Sequence, residues 1–566
     1  MERVTRRLAT LAATIAAVVA VPAVAAPAAS ADFGLTGVSA APASTNAGAN
    51  SDLSLSFDVV EPEHDLKKLV VHLPPGLVGN PLATPTCTEA QLNADACPSA
   101  SDVGDVSNNL DLTVIPPLVI VPFTVMGDVY NVAPRQGEPA RFGFVLRPVG
   151  SIPVIGGVLP PIILQSPASL RPSDFGLDTT LDDIPNTASG IAIDITAIDL
   201  TLEGQVGSPP QGFLRNPTSC GVNTVGFDAT AYDNQTATGQ SPPFTITNCG
   251  ALPFSPKFSA AIKQSGSLTN GVEVSTTISQ TIQEAGLKRA VVTLPRDLAP
   301  NQAALINQCP DPDFQAGTCP ANTRVGTARA TSPLQASPLS GDVFVVASTS
   351  GGIFPDIGVD LRGSLALKLK GAIALTPDLR GIVTFDGLPD IPIAEFTLAF
   401  LGGPTGLSAA KRNLCTPPAP VFDTSFLAHS GANVTLATPA SVDCTGKGKE
   451  PGATIKLGKL KSENPSLRLK VKAGSDPLKK AKLKLPKGLR FASGATFKRG
   501  TSAKGNGKKL SSKAIKHGRG TLTLKATVER GALVVDGKLG SKRKLRFRLK
   551  LVDAAGRRTA LTVRPK

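Results

Sequence analysis

The sequence predicts an all-β chain: tandem Ig-like β-sandwich domains, two of them disulfide-stapled repeats, followed by a basic C-terminal β-sandwich. Three observations lead there. Short runs rich in Val, Ile, Leu, Thr and Phe are punctuated by 49 prolines and 54 glycines, the pattern of sandwiches and barrels. The stretch LPPGLVGNPLATPTC (Leu73 to Cys87) returns as LPRDLAPNQAALINQC (Leu294 to Cys309), and each copy is followed by a further cysteine ten residues on. The 8 cysteines therefore fall into two sets of four with equal internal spacings, 10 in the first pair of each set and 29 in the second.

The chain begins like a secretory signal. Arg3, Arg6 and Arg7 precede an Ala/Val-rich run, and Ala29, Ser30 and Ala31 form a cleavage site ahead of Asp32. Ala9 and Thr10 stand where a twin-arginine signal has apolar residues, so the general secretory route is expected. No cysteine lies near the cut, which argues against a lipoprotein. The remaining 535 of 566 residues correspond to roughly three or four domains of about 150 residues. No later apolar run reaches the roughly 20 residues of a membrane-spanning helix, so no transmembrane span is expected in the mature chain. The C-terminal LTVRPK has no apolar tail, and attachment to a cell surface would be non-covalent.

Four segments follow: a signal peptide (1–31), a disulfide-containing β repeat (32–256), a second such repeat (257–446) and a basic cysteine-free β-sandwich (447–566). CPSASDVG (97–104) matches CPANTRVG (319–326) at an offset of 222, and GDVYNV (127–132) answers GDVFVV (341–346). A fainter third copy lies in the basic tail. LKKLVVHLPPGL (66–77), LKRAVVTLPRDL (287–298) and LKKAKLKLPKGL (478–489) share one register, each an alternating run closed by Leu-Pro. Proline ends a strand because it cannot donate to the ladder, and the Gly or Asp behind it permits a turn.

These phrases resemble a set of secreted repeat proteins of high-GC Gram-positive bacteria, in which LPPGL…GNP precedes a cysteine and then CP and VG. GLPDIPIAEFTLAFLGG (387–403) is similar to that set as well. The resemblance spans most of residues 50–447 and implies Ig-like β units at the cell exterior, with no activity or binding residue attached.

Four pairs of cysteines allow 105 connectivities. If both copies adopt one fold, the simplest set is Cys87 with Cys97, Cys220 with Cys249, Cys309 with Cys319 and Cys415 with Cys444. There is no CxxC pair and only 4 histidines, so no metal site is expected, and no cofactor. His64, His72, His429 and His517 are scattered, and no GxSxG elbow accompanies them. SAAK (Ser408 to Lys411) matches the SxxK of serine acyltransferases without the partner phrases of that class, so a wall-directed hydrolase or acyltransferase ranks last. GTSAKGNGKKLSS (500–512) reads as a flexible basic connection. PDPDF (310–314), LDDIP (181–185) and YDNQT (232–236) read as turns, lacking the twelve-residue calcium-loop pattern.

The strongest electrostatic signal is the tail. Residues 447–566 carry 35 Lys and Arg against 6 Asp and Glu, a surplus of 29, whereas the rest carries 23 basic against 37 acidic. Arg468, Lys470 and Lys472, then Lys480, Lys482 and Lys484, then Arg546, Arg548 and Lys550 each alternate with apolar residues. Alternate residues share a strand face, so neighbouring strands would assemble a broad cationic face that binds an anionic cell-wall polymer or anionic surface. The plainer alternative is a solvated face whose lysines block edge pairing. Without Tyr or Trp in the tail, sequence-specific nucleic-acid binding is not expected.

The function expected is that of a secreted, non-catalytic structural or adhesive protein of the cell envelope. The second reading is an extracellular carrier of an apolar or lipid ligand, held by the Pro-split segments between Leu112 and Leu164.

Overall fold

The computed structural model describes residues 33–565, except 61–64, 116–118, 153–155, 157, 265–270, 350–352, 404–405, 445–450, 460–465, 475–477, 506–507, 512–513, 519–520, 525–526, 530–532, 536–544 and 554–557. The signal segment and His64 thus lie outside the described residues. The chain is all-β, of the class the sequence predicts: tandem β-sandwich units, two carrying disulfides and a third without cysteine.

In the first unit the hydrogen-bonded strand order is Gly34–Pro42, Leu53–Val60, Ile191–Leu202, Asp102–Ile115, Val119–Val132, Arg141–Pro148, Ile162–Leu170, Leu177–Leu181, Leu66–His72, Gly226–Ala231, Thr236–Gln240. The second unit repeats it position by position: Lys257–Lys263, Gly271–Ser279, Glu395–Phe400, Arg324–Thr331, Leu339–Val346, Asp356–Arg362, Ala366–Leu375, Gly381–Phe385, Leu287–Thr293, Val421–Ala428, Asn433–Pro439. An Ig domain has seven to nine strands in two sheets. Here both layers belong to one continuous sheet that folds back on itself. Phe57 and Phe227, each on the second strand from one end of that path, meet with ring centroids 5.6 Å apart.

The sheet closes where its two ends meet, and the wider disulfide sits at that seam. Thr247 bridges to Asn46 in parallel in the first unit, and Ser441–Asp443 pairs in parallel with Lys257–Lys263 in the second. Cys249 and Cys444 follow these segments directly and bond to Cys220 and Cys415 across the last hairpin. The narrower disulfide staples a short helix, Glu89–Asn93 inside Cys87–Cys97 and Asp311–Ala316 inside Cys309–Cys319. Each helix drives one apolar side chain, Leu92 or Phe314, into a small core shared with its disulfide and with Val132 or Val346.

The repeated glycines have steric reasons. A Cβ at Gly104 would strike the Thr201 carbonyl oxygen, and one at Gly326 the Ala399 carbonyl oxygen; Gly127 and Gly341 stand likewise against Val145 and Asp360. Both Gly104 and Gly326 sit at a register shift in the ladder. The three LKK-type phrases also behave alike. Leu66–His72, Leu287–Thr293 and Leu478–Lys484 are strands, and each ends in a turn in which a Leu amide (Leu77, Leu298, Leu489) donates to the Pro carbonyl three residues back.

The third unit packs Gly452–Gly458 and Ser466–Lys472 as one sheet against a five-stranded sheet ordered Ile515–Gly518, Thr521–Leu524, Leu478–Lys484, Phe547–Asp553, Arg558–Val563. Ile455, Leu469, Leu483, Leu522 and Phe547 are fully buried between them. Residues 500–512 correct the expectation of a flexible connection. Ser502–Gly505 and Lys508–Lys509 pair as a hairpin, since Ala503 reaches the core.

Candidate functional site

Two features of the described residues carry chemistry: an apolar cavity in the first unit and the cationic faces of the third. The cavity measures about 170 Å³. Its walls are inward-facing side chains of the curled sheet, including Leu55, Phe57, Val71, Phe144, Leu164, Ile195 and Phe227. Two buried polar groups interrupt them, Asn108 and Ser166. The mouth is covered by the second unit, which contributes Leu334, Leu339, Leu365, Leu367, Ile391 and Ile393. The second unit has a smaller counterpart of about 90 Å³, between Val292 and Leu294 on the strand equivalent to that of Val71. Strand length explains the difference. The central hairpin is built from strands of 14 and 14 residues in the first unit, against 8 and 8 in the second.

The expected lipid groove between Leu112 and Leu164 needs correcting. Leu112, Phe123, Ile152 and Leu159 are core residues, and Ile120 and Val158 are exposed. Among the described residues of the two Pro-split segments, only Leu164 lines the cavity, because strand alternation turns neighbouring side chains to opposite sides.

A polar clamp fixes the covering unit. Asp390, buried, accepts hydrogen bonds from the Thr218 amide at 2.7 Å, the Ser219 amide at 3.3 Å and the Thr218 hydroxyl. The Thr218 hydroxyl oxygen in turn accepts from the Gly286 amide at 2.9 Å. Arg215 donates to the Glu284 carbonyl oxygen at 2.9 Å, and burial pushes its pKa down against the opposing charge of Asp390.

On the outer face of the first unit, His72 lies 2.8 Å from Asp178 and 2.9 Å from Asp228, while Arg171 reaches Asp178 at 2.5 Å. Burial lowers the His72 pKa, but hydrogen bonds that the ring donates to both carboxylates, with their negative charge, outweigh it and leave the pKa raised. His429 meets the Leu388 carbonyl oxygen and His517 stacks on Phe497. These three histidines lie on separate units or faces, with no serine hydrolase geometry among them. Ser408 is buried in the strand Ser408–Ala410 rather than at a helix start. The helix start on which an SxxK site places its serine is therefore not found at Ser408.

The structure divides the nine basic residues. Lys480, Lys482, Lys484, Arg548 and Lys550 are exposed on adjacent strands of the five-stranded sheet, and Arg546, also exposed, lies just before the second of them. Lys482 stands directly opposite Lys550, and Lys484 opposite Arg548; Lys516 extends the first row through Thr523. Arg468, Lys470 and Lys472 do not join that face. Their strand pairs with Gly452–Gly458 in the other sheet, where Arg468 faces Lys456 on the far side of the core. The single broad face expected from alternation is therefore two faces.

No family model matches the chain, and no curated protein matches it. Among solved structures it is similar to a tetra-tandem repeat in the extending region of a large adhesion protein, at 9% identity and TM-score 0.19 over 94% of this chain and 97% of that one. A putative membrane-anchored protein from Corynebacterium diphtheriae matches at 8% identity and TM-score 0.12, over 82% of this chain and 95% of the other. Likenesses this weak carry no argument about the present chain. The four disulfides do: paired cysteines persist in oxidising, extracytoplasmic surroundings. Among the described residues no helix is long and apolar enough to cross a membrane.

Proposed function

We propose that this chain is an exported, non-catalytic structural or adhesive protein of the cell envelope. Its disulfide-stapled units are displayed, and its basic C-terminal unit holds anionic surface polymers such as wall-bound polyphosphates. The observation that supports this is the pair of like-charged cross-strand contacts, Lys482 with Lys550 and Lys484 with Arg548. Like charges directly opposite on a sheet are destabilising. Among the described residues no carboxylate pairs with these four side chains, so an external anion is the natural partner. A row of cations on a rigid sheet raises the local concentration of a polyanion, and added salt screens it.

The test is co-sedimentation of the full mature chain with isolated bacterial envelopes over a range of salt. Pelleting at low salt, release at high salt, and loss in the quadruple variant Lys482→Glu, Lys484→Glu, Arg548→Glu, Lys550→Glu are expected. Equal pelleting of that variant, once shown to be folded, would overturn the reading.

A further inference from the structure

We infer that the cavity of the first unit is a binding site for an aliphatic lipid chain bearing one hydroxyl group. Its walls are mostly apolar; Asn108 and Ser166 are the buried polar side chains among them, and Thr179, Thr331, Ser332 and Gln335 also line it. Asn108 lies at an inward position of the strand Asp102–Ile115, in line with the core residues Val106 and Leu110 and opposite Val125 and Ile198. It is 5% exposed, and its carboxamide oxygen Oδ1 has no hydrogen-bond partner. A buried acceptor left unpaired forfeits its hydrogen bond to water, so this group destabilises the empty unit. A donor brought in by a ligand removes that cost.

The second unit supplies the contrast. Ala330 occupies the position that corresponds to Asn108 at the offset of 222, and it lines the mouth of the first unit's cavity and not the smaller cavity of its own unit. The site is also roofed: Ile391 and Ile393 flank the mouth immediately after the clamped Asp390. A ligand that enters between the two units is surrounded mainly by apolar side chains, which suits an alkyl chain and disfavours a charged head group. Apolar spaces of about 150 Å³ lined by Leu, Ile and Phe stay dry and take small hydrocarbons, and this one is slightly larger.

The experiment is titration calorimetry of the full mature chain with n-octanol and with n-octane. A cavity without a polar anchor prefers the alkane, because a hydroxyl loses its water on entry. Here octanol is expected to bind at least as tightly as octane. Asn108→Leu should weaken octanol roughly tenfold, the loss of one buried hydrogen bond, and leave octane unchanged or tighter. Ala168→Leu, which fills the cavity from the wall, should abolish both. Far-UV circular dichroism establishes that each variant is folded. If Asn108→Leu does not fold, the octanol-to-octane ratio of the unmodified chain decides alone. Tighter binding of octane, or no binding of either by the folded protein, overturns the assignment, as does Ala168→Leu binding like the unmodified chain.

Discussion

The carboxylate of Asp390, in the second unit, accepts the backbone amide of Thr218, in the first, at 2.7 Å across 172 residues of chain. Both residues are buried. Asp390→Ala leaves the Thr218 amide and the Ser219 amide without acceptors, at about 1–3 kcal/mol for each buried group. The expected outcome is a loss of about 2–4 kcal/mol, read in urea denaturation as a split of one transition into two. Limited proteolysis between the units should accelerate in the same variant, and the exchange of any cavity ligand with it.

Gly104 and Gly326 do the same work in their two units, letting one strand pass close to the carbonyl of Thr201 or Ala399. Gly104→Ala and Gly326→Ala should each cost at least about 2 kcal/mol, since a backbone neighbour cannot move aside as a side chain can. Gly250 has open space around it, and Gly250→Ala is the control that stays near zero. Chemical denaturation of the three variants checks the contrast.

Much of this was legible in the sequence. Eight cysteines with spacings of 10 and 29, and phrases repeated at an offset of 222, announce two copies of one unit, and alternation marks their strands. Each of those signals is local, or compares like with like. What stayed hidden depends on pairing across the chain. Asp390 in GLPDIPI looks like a turn residue, because its partner Thr218 lies in the other unit. Arg468, Lys470 and Lys472 alternate just as Lys480, Lys482 and Lys484 do, and only the pairing with Gly452–Gly458 separates them. Asn108 left a trace: in VSNNLDL it takes an inward position between Val106 and Leu110, where an apolar residue belongs. The cavity behind it follows from sheet curvature, which no short stretch encodes.

His72 makes the first unit sensitive to pH. Its folded-state pKa is raised above 6.5 by Asp178 and Asp228, so folding binds the proton more tightly than the unfolded chain does. The stabilisation is complete below the unfolded value of about 6.5 and is lost as pH rises through the higher folded value. Thermal melting of the unmodified chain should therefore fall, relative to His72→Gln, as pH rises above about 6.5 and through the raised folded-state value, because the variant lacks this component. A variant that tracks the parent across the whole window would show that the two carboxylates do not favour the protonated ring.

Lys550 separates a binding face from a merely soluble one. It stands opposite Lys482 in the centre of the five-stranded sheet, so Lys550→Glu exchanges a repulsive cross-strand pair for an attractive one, worth roughly 0.5 kcal/mol. The third unit should become slightly more stable in denaturant, and less so as salt screens the new pair. If the face only keeps the protein soluble and its edges unpaired, envelope binding is indifferent to the change. If the face holds polyanions, the same substitution that stabilises the unit weakens co-sedimentation and shallows its dependence on salt. Natural selection for stability alone would not keep Lys at both positions. A gain in stability coupled to a loss of binding is thus the signature expected of a face kept cationic for a partner.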